Sequence, residues 1–345
     1  MRDLKLNKQQ KGLTLVELMV AMVLSLVLIG GVSQTYLSSK QTYRLTEAQS
    51  RIQENGRFAL YLLTRDIRMA DFWGCASTSD AAVSNNLDTT HADYDSTAHD
   101  FSNGVFGLNG AIDAINSGLD APDEMTIQGA FDRGIIVQPP FGPQASSNIK
   151  ISTGNGLAQG DIILVADCLA GDIFQISNSN PDTGGVAGHN TGSATSPGNY
   201  NPSTCGGGGS AHCLSKVYAA DASIYKLGVK RFFIEASTAS GEPSLKLWTP
   251  EKGKEELVEG VQNMQILYGV DTDGDYTPNY YVHAGNVADM EQVVSVKISL
   301  LLHSMEDNVT SNNLTVNYNG GTSTIANRRL GRVFSATITI RNRMQ

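Results

Sequence analysis

The chain has 345 residues, 41% of them hydrophobic and 17% charged, with 35 glycines and a formal net charge of −9. That length can bury one large core or two modest ones, and the glycine content points to a loop-rich, β-leaning globular protein. The acidic balance excludes nucleic acid as a main partner, because a duplex binder needs a basic surface to release counterions. Charge is unevenly spread: Arg2, Lys5, Lys8 and Lys11 against Asp3 give residues 1–12 a net +3, leaving −12 on the remainder.

Residues 13–33 read LTLVELMVAMVLSLVLIGGVS, a nearly continuous apolar run behind the basic stretch. About 20 helical residues span roughly 30 Å, enough to cross a bilayer core. The preceding cations hold its start on the cytoplasmic side and send everything from about Lys40 across the membrane. A cleaved secretory signal, an uncleaved anchor and a third class of segment all share this pattern. Glu17 separates them. A carboxylate inside such a run costs about 2.5–3.5 kcal/mol on insertion scales, which a plain anchor or signal has no use for.

Glu17 stands four residues after Leu13, and Leu13 follows Gly12 and the basic leader. Here the chain resembles the type IV prepilins. The resemblance implies that a prepilin peptidase cuts between Gly12 and Leu13 and methylates the new amino terminus, leaving Glu17 as the fifth mature residue. Leu13 stands where phenylalanine is commonest in that family. A buried α-amino group and a neighbour's Glu17 would then neutralise one another, a poor source of raw stability but a device for fixing register.

The helix is expected to continue to about Ala70, roughly 87 Å in all at the standard rise. Leu45, Ala48, Ile52, Ala59, Leu63, Ile67 and Ala70 share one face, with Arg44, Glu47, Arg51, Glu54, Arg57 and Arg65 elsewhere. Asn55-Gly56 interrupts the pattern and is expected to bend the helix. Phe72, Trp73 and Cys75 read as a packing knot at its end. Ser77–Asp100, rich in Ser, Thr, Ala and Asp, reads as a surface loop. Strand patterns follow at Gly134–Gln138, Asp161–Asp167, Ile224–Ala236, Leu245–Trp248, Val261–Val270, Val293–Leu302 and Val333–Arg341. Ser177–Ala211, full of Gly, Asn, Ser and Pro, reads as an elaborated loop. The fold class is therefore α+β: a long N-terminal helix and an antiparallel β-sheet globular domain with large loops. In domains, 1–12 is a leader, 13–75 the membrane or filament-core and amphipathic helix, and 76–345 the exported β-rich part, with its insert at 177–211.

The cysteines, Cys75, Cys168, Cys205 and Cys213, lack zinc-site spacing and read as disulfides in an exported domain. Three pairings exist; the favoured one joins Cys205 to Cys213 around the glycine-rich tip and Cys75 to Cys168. Asp271, Asp273 and Asp275 in DTDGD are a candidate site for Ca²⁺, although glycine falls at the fourth loop position rather than the sixth. An acidic β-turn is the alternative and the preferred reading. His283 and His303 read as satisfied or exposed histidines. The Gly206–Gly209 run lacks the lysine of a phosphate loop, and no H-E-x-x-H or G-x-S-x-G motif occurs.

EELVEGVQNMQILYGVDTDGDYTPNYYVHAGNV, VVSVKISLLLHS and RVFSATITIRNR resemble the type IV pilus assembly protein PilW, a large minor pilin. The long helix is also similar to the J-type minor pseudopilin of type II secretion, which implies two small antiparallel sheets. The resemblance implies a non-enzymatic, low-copy subunit. Its partners would be other minor pilins, the major pilin, prepilin peptidase, the inner-membrane assembly platform and a tip adhesin. The rival functions are a pseudopilin of secretion or DNA uptake, and an exported binding or enzymatic domain on a simple anchor.

Overall fold

The structure is a computed structural model and describes residues 12, 14–78, 82–110, 121–132, 134–192, 194–200 and 212–344. Helix α1, Leu15–Arg68, is continuous, and its side chains fall into two regimes. From Leu15 to Leu45 every residue is exposed. Beyond that, Ala48, Ile52, Gly56, Ala59, Leu63 and Ile67 form a buried row. Their three- and four-residue spacing keeps them on one face, and Ala70 continues it past the helix end.

The remaining elements, in chain order, are β1 Ala82–Asn85, α2 Ser96–His99, β2 Val105–Leu108, β3 Glu124–Ala130, β4 Ile135–Ile136, β5 Ile149–Lys150, β6 Ile162–Ala166, β7 Ala170–Gln175, α3 Pro181–Gly184, β8 Val186–Ala187 and β9 Ser223–Ala236. Then come β10 Pro243–Thr249, β11 Gly253–Glu259, β12 Val261–Val270, β13 Tyr280–Val282, β14 Val293–His303, β15 Leu314–Tyr318, β16 Gly321–Ile325 and β17 Gly331–Thr339. Among the described residues these build a nine-stranded sheet ordered β1-β7-β6-β9-β10-β11, with β2, β3 and β4 attached off that path, and a four-stranded sheet ordered β13-β12-β14-β17. Among the described residues all pairings are antiparallel except β1 with β7. The first sheet is therefore larger than the two small sheets that the J-type likeness implied.

Strand β9 ties the molecule together. Its first half pairs with β4 and β6, and its second half with β3 and β10. The main core lies where α1 meets both sheets: Ile52, Leu63 and Ile67 from the helix, Met125, Ile127 and Phe232 from the large sheet, Ile266, Tyr268, Ile298 and Ile338 from the small one. Strands β6 and β7 are covered on both faces by two further clusters, which is why IILVA is an unbroken apolar run rather than an alternating one.

Gly56 lies inside the continuous helix, where its missing side chain leaves room for the Phe334 ring, which an added Cβ would approach to 2.4 Å. Two expectations change. Leu45 stays 38% exposed, so the buried face begins at Ala48. The 77–100 segment is not a mere surface loop, since β1 joins the large sheet and Leu87 is buried.

Candidate functional site

The amino-terminal end of α1 is a capping box. The Thr14 N–H donates to Glu17 Oε2 at 3.0 Å, and the Glu17 N–H donates back to Thr14 Oγ1 at 3.3 Å. Two helix-end donors are thus satisfied reciprocally. The Glu17 carboxylate is held within one turn of the start of the apolar run, on the exposed half of the helix. Thr14 was legible as T-x-x-E but has no part in the reading from charge and spacing. Gly12 is exposed, and a Cβ built on it would meet nothing within 4 Å. Any need for glycine there comes from outside the fold. Leu13 lies outside the described residues.

The domain grips the helix at two levels. Near the bare half, Arg44 donates to the Asp307 carbonyl at 3.0 Å, Arg51 pairs with Glu47 at 2.6 Å and Glu306 at 3.3 Å, and Asn55 donates to the Glu259 carbonyl. At the far end the Asp71 N–H donates to the Gln128 carbonyl at 2.9 Å, Arg343 pairs with Asp71, and Asn342 donates to the Ala70 carbonyl. The expected knot is present: Trp73 donates to Asp71 and packs edge-on against Phe101, and Phe72 packs against Tyr225. Cys75 is bonded to Cys168, at the β6–β7 turn, with Cα atoms 4.8 Å apart. Cys213 is also disulfide-bonded, while Cys205, its expected partner, lies outside the described residues.

Asp271, Asp273 and Asp275 do come together, with one oxygen of each inside a 4.8 Å circle. Asp271 is already engaged. Its Oδ1 accepts from Asp273 N and Gly274 N, and its Oδ2 accepts from Tyr276 N at 2.7 Å. Gly274 and Tyr276 both have positive φ, as a tight acidic turn requires.

Two polar clusters had no place in the sequence reading. His189 and His212 are fully buried, with their Nδ1 atoms 3.2 Å apart, and His189 Nε2 lies 3.1 Å from the Ser147 carbonyl. A carbonyl only accepts, so His189 carries its proton on Nε2. Its Nδ1 must then accept from His212 Nδ1–H. Beside them, the buried Asp172 accepts from Tyr218 at 2.6 Å, from both polar groups of Ser215 and from Asn86. Histidines 23 and 42 positions from their partners leave no local signature. His303 is satisfied as expected, its Nδ1 2.9 Å from the Ser304 carbonyl, with Glu242 3.9 Å from Nε2.

One trio invites a catalytic reading: Ser196 Oγ lies 3.5 Å from His91 Nδ1, and Asp93 is beside both. The connectivity is wrong for nucleophile activation. Asp93 accepts the serine proton directly, whereas a relay needs the histidine on the hydroxyl and the acid on the other ring nitrogen.

Comparison with known families matches residues 231–342 to Type IV Pilus-assembly protein W, and residues 7–33 to the prokaryotic N-terminal methylation motif. The first match runs from the second half of β9 to the close of the small sheet; the second takes in Gly12, the capping box and the apolar run. No curated protein and no solved structure matches the chain significantly.

Proposed function

From the premise that the chain is a PilW-family pilin with a prepilin-type amino terminus, we propose that it is a minor pilin of a type IV pilus. In this reading it primes the filament together with other minor pilins and sits at or near the tip, next to the major pilin and beneath an adhesin-like partner. A prepilin peptidase cuts between Gly12 and Leu13. Before assembly the chain is a single-pass inner-membrane protein with its domain in the periplasm; afterwards it is part of the extracellular filament. Its role is architectural rather than catalytic.

The observation that carries this reading is the bare half-helix. About 28 Å of apolar helix, from Leu15 to Ser33, stands clear of the domain with a carboxylate in its first turn, and the helix stays exposed on to Leu45. An apolar surface of that size requires lipid or other helices around it. Glu17 is the group that a neighbour's terminal amine would meet, in exchange for its bond to Thr14.

The mass of the amino-terminal peptide, taken from the native membrane, tests the processing. A chain beginning at Leu13 with one added methyl group supports the proposal; one beginning at Met1 in cells whose other pilins are processed overturns it. Gly12→Trp should block the cut and Gly12→Ala weaken it mildly, with the domain unaffected because the site is open. Glu17→Ala should leave the domain folded and lower recovery in sheared filaments. Twitching, secretion and transformation scored separately in a deletion strain distinguish a pilus from a secretion or uptake filament.

A further inference from the structure

The second half of α1 has an outer face as regular as its buried one. Glu54, Arg57, Tyr61, Arg65 and Arg68 follow one another at three- and four-residue steps, on the side away from Ala59, Leu63 and Ile67, with Phe58 and Met69 alongside. Phe58 is 49% exposed, Tyr61 62% and Met69 43%. Among the described residues Arg57 and Arg68 form no ion pair, and Arg65 leans on Asp66 at 2.9 Å. A solvated helix face has no use for three large apolar side chains in register with three arginines. A protein contact does, since Tyr and Arg in combination are what interface anchors are made of.

We propose that this face is a docking surface for an acidic, partly apolar flank of a neighbouring pilin-type subunit in the same filament. The inference rests on the filament reading above and adds the surface and the chemistry of its partner.

Three observations choose that occupant. The stripe is continuous with the bare half of the same helix, so whatever packs beside the apolar run meets this face next. With one side of the helix filled by its own domain, only the outer side is open to a neighbour. The charge is opposite to that of the molecule as a whole: a basic stripe on a chain of net charge −9 calls for carboxylates, which guanidinium groups bind bidentately. Distance disfavours the other candidate, anionic lipid. From Ser33, where the apolar run ends, to Arg57 is roughly 36 Å of helix, several Debye lengths at physiological salt.

The test places a photo-activated benzophenone amino acid at Tyr61 of the full chain, in cells. The expected product is an adduct with another pilin-type subunit, mapped to a peptide containing Asp or Glu. Arg57→Glu/Arg68→Glu should lower its yield about tenfold, since two exposed pairs are replaced by repulsion, and Glu54→Lys should not lower it. Retention of the Cys75–Cys168 bond, read on a non-reducing gel, reports that the variants fold. Adducts with lipid alone, with proteins of another kind, or with a yield indifferent to charge reversal overturn the proposal. So does the absence of an adduct when the unsubstituted chain is recovered in sheared filaments. If that chain is absent from filaments, the filament reading fails by itself. The docking surface then stands or falls on whether Tyr61 still captures a pilin-type subunit in the membrane.

Discussion

Gly56 offers a prediction whose sign depends on one neighbour. In Gly56→Ala the new methyl would lie 2.4–2.5 Å from three atoms of the Phe334 ring, on β17 of the small sheet. Carbon contacts prefer about 3.5–4.0 Å, so the ring must withdraw by about 1 Å or more. Overpacking of this kind costs about 1–3 kcal/mol. Against it stands the helix preference of alanine over glycine, about 0.8–1.0 kcal/mol. The net expectation is a loss of about 1 kcal/mol. With Phe334→Ala already made the obstacle is gone, and Gly56→Ala should stabilise by about 1 kcal/mol. The coupling of about 2 kcal/mol lies within the range for residues in contact. Urea unfolding of the detergent-solubilised chain, followed by the fluorescence of Trp73 and Trp248, measures all four corners of the cycle. Equal stabilisation in both backgrounds would refute the packing role and return Gly56 to being a weak point in the helix.

Other perturbations act on separate parts. Removing the Cys75–Cys168 bond opens a loop of 93 residues, for which chain entropy gives about 4–5 kcal/mol; Cys75→Ser/Cys168→Ser should lose a large part of this, and an unchanged urea midpoint would contradict it. The His189–His212 pair makes the fold acid-sensitive. Burial, with His189 alongside, pushes His212 down to about 4, so the unfolded chain takes up a proton near pH 6.5 that the folded chain refuses. Stability is therefore full above that pH and falls between pH 6.5 and about 4, on the order of 2 kcal/mol by pH 4.5. Burial also lowers His189, His99 and His303, so His212→Gln should remove part of the slope and not all of it. A midpoint equal at pH 7.5 and 4.5 would contradict this. At the DTDGD turn, Asp271→Ala should lower the urea midpoint, because it removes the acceptor of three backbone donors that shape the turn. Asp273→Asn should be near neutral, and calcium or chelator should leave the midpoint unchanged. A calcium-dependent rise that Asp273→Asn abolishes would instead establish a cation site.

The long helix and strands β9, β10, β12, β14 and β17 were legible because apolar residues recur in them at helix or strand spacing or in unbroken runs. Val293–His303 is a long β-branched and leucine-rich run buried on both faces, and Gly331–Thr339 alternates apolar with polar residues. Strand β3 was not legible. EMTIQGA is buried along nearly its whole length, so Thr126 and Gln128 are as covered as Met125 and Ile127 and no contrast marks the faces. Strand β11 fails for the opposite reason. GKEELVE lies at a sheet edge, where lysine and glutamate guard exposed backbone and imitate a loop. The β15–β16 hairpin had its signal in plain view: Asn319 and Gly320 both adopt positive φ, the turn that Asn-Gly favours between strands. At the amino terminus, the spacing of Gly12, Leu13 and Glu17 is local and therefore readable. The His189–His212 pair and the Asp172 hub are made by distant segments meeting, and no spacing rule anticipates them.

The Cys75–Cys168 bond sits seven residues past the end of α1, and that position decides how the molecule bears load. In the filament proposed above, a pull along the axis would reach each subunit through its helix. The first strand beyond the helix, β1, is a short edge strand of four residues, and tension reaching it would peel it from the sheet with little resistance. The covalent bridge sends tension past it, directly into the turn between β6 and β7, two strands that are each paired on both sides. The bypassed 93 residues could otherwise pay out at most about 320 Å of contour length. With the bridge closed none of that slack is available, and the subunit behaves as a stiff link whose first yield must come from strands locked deep in the sheet.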